Sequence, residues 1–188
     1  MGRRPKFEQA AVVDKAMAVF WRRGYAATTP QVLVEELGIG KGSLYNTFES
    51  KHNLFTLALR GYSSMRVGGL AERLGAPGTV RPLLRAAVVE LTGVGTHRRG
   101  CLVVNSIAEL GPADAAVAEV GPRLFDHIEA AFRDVVEQGQ LRGELHQGDP
   151  SDIAGSLLAT VIGTSVLART GGDLGRLNRV IDAAIEGL

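Results

Sequence analysis

The chain has 188 residues, 45% of them hydrophobic and 22% charged, which leaves room for one domain or a small one beside a medium one and excludes a mainly disordered chain. A single cysteine, Cys101, excludes a disulfide framework and a multi-cysteine zinc site. The net charge of +1 conceals an asymmetry: residues 1–60 carry nine basic and five acidic side chains, net +4, while the remainder carries 12 and 15, net −3.

Such asymmetry points to a basic module joined to a neutral or acidic one, against the plainer reading of chance plus a basic start. Met1 to Phe7 is basic, but no apolar run follows, so it is not read as a secretory signal. Val13, Met17 and Phe20 step by four and three on a first helix that stops at Gly24.

The stretch Thr28 to Lys51 divides into helix, tight turn and helix. Thr29 can cap a helix whose first residue is Pro30, because proline has no N–H to lose there. Val32, Leu33 and Leu37 form its apolar face, and Gly38-Ile39-Gly40 forms the turn around an apolar centre expected to be buried. A second short helix runs from Lys41 to Phe48, with Leu44 and Phe48 facing the core. Ser50 caps the next helix, which begins at Lys51.

Two short helices across a glycine-containing turn fit a helix-turn-helix, whose second helix enters the DNA major groove; an ordinary helical hairpin with a polar face fits the bare pattern equally. The outward set is Lys41, Gly42, Ser43, Tyr45, Asn46 and Thr47. Gly42 and Ser43 allow close approach, Lys41 suits guanine, Asn46 suits adenine and Thr47 suits a thymine methyl. Thr29, Gln31, Tyr45 and Lys51 complete the expected DNA-contacting set, largely as phosphate donors.

Downstream, Gly75-Ala76-Pro77-Gly78 is a clear break. Glycines including Gly61, Gly100, Gly111 and Gly143 are read as helix ends. Leu124, Ile128, Phe132 and Val135 mark a long helix, and Leu177, Ile181, Ala184 and Leu188 mark a last one. The uncharged run Ile153 to Ala168 is short of the roughly 20 residues that span a bilayer, so it is read as a buried helix of a soluble, cytoplasmic protein without a membrane partner. No strict period-two alternation appears, and the expected fold is all-α.

The segment from Ala11 to Leu59 resembles the TetR family of transcriptional regulators. The resemblance lies in Ala16, Phe20, Gly24-Tyr25, Thr28-Thr29 and Glu36-Leu37-Gly38-Ile39, then in Gly42-Ser43-Leu44-Tyr45, Phe48, Ser50-Lys51 and Leu54-Phe55. Pro30, Gly40 and His52 depart from the family pattern; Gly40 replaces a usual serine or threonine cap, which puts the start of the second short helix and the operator sequence in doubt.

The resemblance implies about nine helices in two domains. Residues 1–50 would form a three-helix DNA-binding domain, and residues 51–188 a ligand-binding and dimerisation domain. It also implies a homodimer through the two C-terminal helices, at about 150–170 and 173–187, reading a palindromic double-stranded operator. It further implies a repressor that releases DNA when a small effector binds, or an activator of the same kind.

Cys101 is expected at a helix start near His97, Arg98 and Arg99, where a thiolate is favoured. It is then either a second trigger through its modification or an inert buried hydrophobe. The expected effector pocket gathers Cys101, Leu102, Asn105, Ser106, Phe125, His127, Ile128, Leu158 and Ile162, mostly apolar, which favours a hydrophobic effector. Asn105 and Ser106 either orient a ligand or bond backbone, and His127 either meets the ligand or lies at the surface. No metal or other cofactor is expected, since His97 and His127 lack carboxylates at ligand spacing. A thiol enzyme would need a Cys101/His97 couple, which has no third orienting group. A helical dimer that binds no DNA is the remaining rival.

Overall fold

The computed structural model describes residues 6–95, 99–171 and 173–188. Arg3 and Arg4 of the basic start, with His97 and Arg98, lie outside these. Among the described residues there are nine α-helices and no strand. They are α1 (Lys6–Arg23), α2 (Pro30–Leu37), α3 (Lys41–Phe48), α4 (Lys51–Leu74), α5 (Val80–Thr92), α6 (Leu102–Leu110), α7 (Ala115–Leu141), α8 (Pro150–Arg169) and α9 (Leu174–Glu186).

Helices α1 to α3 pack round the first half of α4. Ala16, Val19 and Phe20 of α1 meet Leu54, Phe55 and Leu59 of α4 in a buried core that Leu33, Leu37, Leu44 and Phe48 complete. Phe20 sits edge-on to Phe55 at 5.3 Å, and Trp21 edge-on to Tyr62 at 5.1 Å, so rings tie α1 along the length of α4. The second half of α4 enters the C-terminal bundle, where it packs on α5 and α7. Gly61 is not a helix end: it lies inside α4, where a Cβ would meet nothing within 4 Å. Ile39 is half-buried against the core, short of the full burial expected of it.

Helix α7 is the spine of the bundle, with Leu124, Ile128, Phe132 and Val136 buried on one face. Asp114 caps it, its carboxylate accepting the Ala116 and Val117 amides at 3.0 and 3.1 Å. Helix α6 crosses α7 closely at Gly121, where a Cβ would lie 3.2 Å from Ile107 Cδ1.

Helix α8 departs from the sequence reading. At 20 residues it is long and apolar enough to cross a membrane by length and composition, and only about a third of it is buried within the chain. Leu157, Leu158, Val161, Thr164 and Ser165 face inward. The outer face is a line of small residues, Ser156, Ala159, Gly163 and Val166, spaced three and four apart. On α9, Val180 and Ala183 are likewise exposed.

Candidate nucleic-acid interface

Local rules position the second and third helices. The Thr29 hydroxyl accepts the Val32 amide at 3.3 Å, and Pro30 opens α2. Gly38 ends it in the left-handed region with φ 65°, which glycine adopts without Cβ strain. Helix α3 then begins at Lys41, after an N-cap, Gly40, that offers no side-chain hydrogen bond. Burial of Leu44 and Phe48 fixes which way it faces.

The opposite face of α3 meets solvent. Lys41, Gly42, Tyr45 and Asn46 are exposed, and Ser43 and Thr47 are half-buried beside them. Nothing lies within 4 Å of a Cβ built on Gly42, so a groove wall can approach the backbone there. The face therefore carries a cation, an amide, hydroxyls and a phenol, the groups that read base edges and phosphates. Thr29 and Gln31 are exposed at the start of α2, where Gln31 Nε2 donates to Glu35 Oε1 at 2.7 Å.

Lys51, expected to hold a phosphate, makes internal contacts. Its Nζ donates to the Tyr25 carbonyl at 2.9 Å and lies 3.9 Å from the centre of the Tyr25 ring. Desolvation holds its ammonium below the usual lysine range, against the opposing pull of the Glu109 carboxylate. It braces the loop between α1 and α2. Two further basic groups are engaged internally, because Arg22 and Arg23 both meet Glu36 Oε1, at 2.7 and 3.2 Å. Those hydrogen bonds hold the Glu36 carboxyl below its ordinary range.

Most of the expected effector residues are packed against neighbouring helices. Cys101 is buried at the N-cap of α6, and Leu102, Ile128 and Leu158 are buried in the core. Asn105 Nδ2 donates to the Arg99 carbonyl at 2.9 Å, and Ser106 Oγ donates to the Leu102 carbonyl at 2.8 Å. Both polar groups thus serve the backbone. Phe125 and Ile162 are half-buried in helix packing. Only His127 of the nine lines the cleft of about 560 Å³ between α4 and α7, with Arg60, Val67, Val120 and Arg123. A second cavity, about 460 Å³ between the α4–α5 turn and α7, contains none of them. Helical periodicity identifies core faces, and a residue on a core face packs against neighbours unless those neighbours are small or absent.

Several contacts had no signal in the sequence. Glu109, on α6, accepts backbone amides of Tyr25 and Ala26. His52 Nε2 lies 2.9 Å from Asp114 Oδ2, linking α4 to the cap of α7. Arg60 meets Glu119 at 2.6 Å across the cleft. All join residues more than fifty positions apart, beyond the reach of local pattern.

The chain matches known proteins along its whole length. Residues 12–58 match bacterial regulatory proteins of the tetR family, and residues 76–184 match the tetracyclin repressor-like C-terminal domain. It is 32% identical to an uncharacterized HTH-type transcriptional regulator of Bacillus subtilis, YezE, over 99% of this chain and 98% of the relative. It is 28% identical to the HTH-type transcriptional repressor ComR of Escherichia coli, over 97% of this chain and 90% of the relative. Among solved structures, a cysteine mutant of the TetR-family regulator CifR, complexed with 26-bp double-strand operator DNA, superposes with a TM-score of 0.83. That match has 28% identity and covers 98% of both chains. With a capped α2, a left-handed glycine turn and an outward polar α3, the chain belongs to the TetR family of DNA-binding transcriptional regulators.

Proposed function

We propose that the protein is a homodimeric repressor whose residues 1–50 hold a palindromic operator and whose residues 51–188 pair the subunits and receive an effector. The observation that carries this reading is the exposed face of α3, where Lys41, Tyr45 and Asn46 stand clear of the core. Pairing is supported by the small-residue seam of α8 and the exposed Val180 of α9, a surface that a second copy can approach closely. In a two-fold dimer the recognition helices then stand about one DNA turn, ~34–36 Å, apart.

The effector site is the α4–α7 cleft. Its floor includes Val67 and Val120, and its rim carries Arg60, Arg123 and His127, which suits a small, mostly hydrophobic effector. Helix α4 begins at the DNA-binding domain, so an effector that binds better to one setting of α4 and α7 shifts the dimer between two geometries. Modification of Cys101 is a second trigger: its thiol is buried, and an adduct has to displace its neighbours. The protein acts in the cytoplasm, where its operator lies.

The test is a titration of full-length protein against the intergenic DNA flanking its own gene, at two salt concentrations, with a Lys41→Ala, Tyr45→Ala variant as control. Tight, salt-sensitive binding that the variant loses supports the reading. A folded dimer that binds neither this DNA nor any sequence selected from a random pool overturns it.

A further inference from the structure

Helix α6 is held to the DNA-binding domain at both of its ends. Before its first residue, Gly100 accepts a hydrogen bond from Trp21 Nε1 of α1 at 2.9 Å. In its last turn, the Glu109 carboxylate accepts the Tyr25 amide on Oε2 at 2.9 Å and the Ala26 amide on Oε1 at 2.7 Å. Two consecutive amides on the two oxygens of one carboxylate make a charge-assisted, bidentate contact, stronger and more directional than neutral bonds. The sequence leaves room for it: a Cβ on Gly24 would come within 2.8 Å of Glu109 Oε2, and Gly24 has φ +83°. Lys51 Nζ takes the Tyr25 carbonyl, so an acid and a cation hold the amide and the carbonyl of the same residue.

The gripped residues lead directly into Thr28 and the Thr29 cap of α2. Thr28 Oγ1 donates to the Gly24 carbonyl at 2.6 Å and closes that turn. The position of the loop therefore carries α2 and α3 with it. At the other end, Gly100 abuts α8, where a Cβ would lie 2.7 Å from the Ser165 carbonyl oxygen. Helix α6 thus stands between the helix with the small-residue seam and the loop that leads to the recognition helix.

We propose that Glu109, on α6 and outside the helix-turn-helix, is the positioning residue through which the C-terminal domain sets the separation of the two recognition helices, and so the half-site spacing the protein accepts. The inference rests on the dimeric operator binding proposed above. With the carboxylate removed, α4 and the Trp21–Gly100 hydrogen bond are left to link the domains, and each DNA-binding domain swivels more freely about α4. Contacts within one half-site survive, while the preference for one spacing falls.

The experiment uses full-length wild type, Glu109→Ala and Glu109→Gln. The wild type first selects its operator from random DNA. Affinities are then measured for that palindrome, for versions with one base pair added or removed between the half-sites, and for a single half-site. Glu109→Ala is expected to lose about 5–150-fold of the preference for the native spacing, the usual scale of coupling between sites. Its half-site affinity is unchanged. Glu109→Gln keeps one carbonyl acceptor and falls between, and hydrogen exchange at the Tyr25 and Ala26 amides quickens in the same order.

Unchanged spacing preference in both variants overturns the proposal. So does an equal loss for the half-site and the palindrome, which would make Glu109 a general stabiliser. A wild type that selects no DNA overturns the proposed function and this inference together, whereas a wild type that selects a palindrome whose spacing preference Glu109→Ala retains overturns this inference alone.

Discussion

Asp114 does two things with one carboxylate: it caps α7 and meets His52 of α4. Burial alone would raise its pKa, but the His52 hydrogen bond and the Val117 and Ala116 amides outweigh burial and hold it below the ordinary 3.8. Its contribution is therefore fully present above about pH 4 and is lost as pH falls through the depressed native value. Asp114→Ala should cost about 0.5–2 kcal/mol in urea unfolding at neutral pH, the range for a lost N-cap. The difference from wild type should vanish in acid. On α3, Asn46→Ala should cost about 1–3 kcal/mol of operator affinity and relax the base preference at one position. Lys41→Ala distinguishes two roles. A phosphate contact weakens all sequences alike, whereas a guanine contact weakens one. Lys51→Ala should instead act through the Tyr25 loop it braces.

At the scale of the element, α3 and α8 owe their exposed faces to opposite causes. Helix α3 is short, with Leu44 and Phe48 committed to the core and polar groups elsewhere. Helix α8 is uncharged from Ile153 to Ala168, so its outer face is set apart by the size of its residues and not by charge. Ser156, Ala159, Gly163 and Val166 leave a shallow track along which another helix can lie close. Within the chain, a Cβ at Gly163 would meet nothing within 4 Å, and leaving glycine gains about 1 kcal/mol of helix propensity. Gly163→Leu should therefore leave the fold intact and separate the proposed dimer, as read by sedimentation velocity. A dimer that persists in this variant would place the interface elsewhere. The uncapped start of α3 offers a milder check: Gly40→Ser should stabilise the chain by only a few tenths of a kcal/mol in thermal or urea unfolding.

At the scale of the whole molecule, the net charge is nearly zero while the first 60 residues are at +4. DNA meets the local charge and not the sum. Operator affinity should fall linearly with log salt, with a slope of about 0.9 per phosphate neutralised. Because Arg22 and Arg23 are engaged by Glu36, and Lys51 by Tyr25, the slope should be smaller than the count of basic residues suggests. A slope equal to that full count would mean these pairs open on the DNA. The first half of α4 packs with α1 to α3, and the pairs His52–Asp114 and Arg60–Glu119 fasten it to α7. Movement of α7 is thereby mechanically connected to the helix-turn-helix.

Residues 28–51 could be read directly because each of their features is local: a threonine before a proline, a glycine turn, a four-residue apolar step. Such features act over a few residues of backbone, so sequence neighbours suffice to determine them. The order and class of the helices followed from periodicity for the same reason. The internal contacts of Lys51 and the lining of the cleft did not. Each depends on which residue from a distant helix arrives opposite, and that is decided when α4, α6 and α7 pack together. The sequence by itself determined that α3 presents polar groups outward. Only the tertiary structure decided what holds α3 in place, because the Glu109 carboxylate and the amides it binds meet across more than eighty residues of chain.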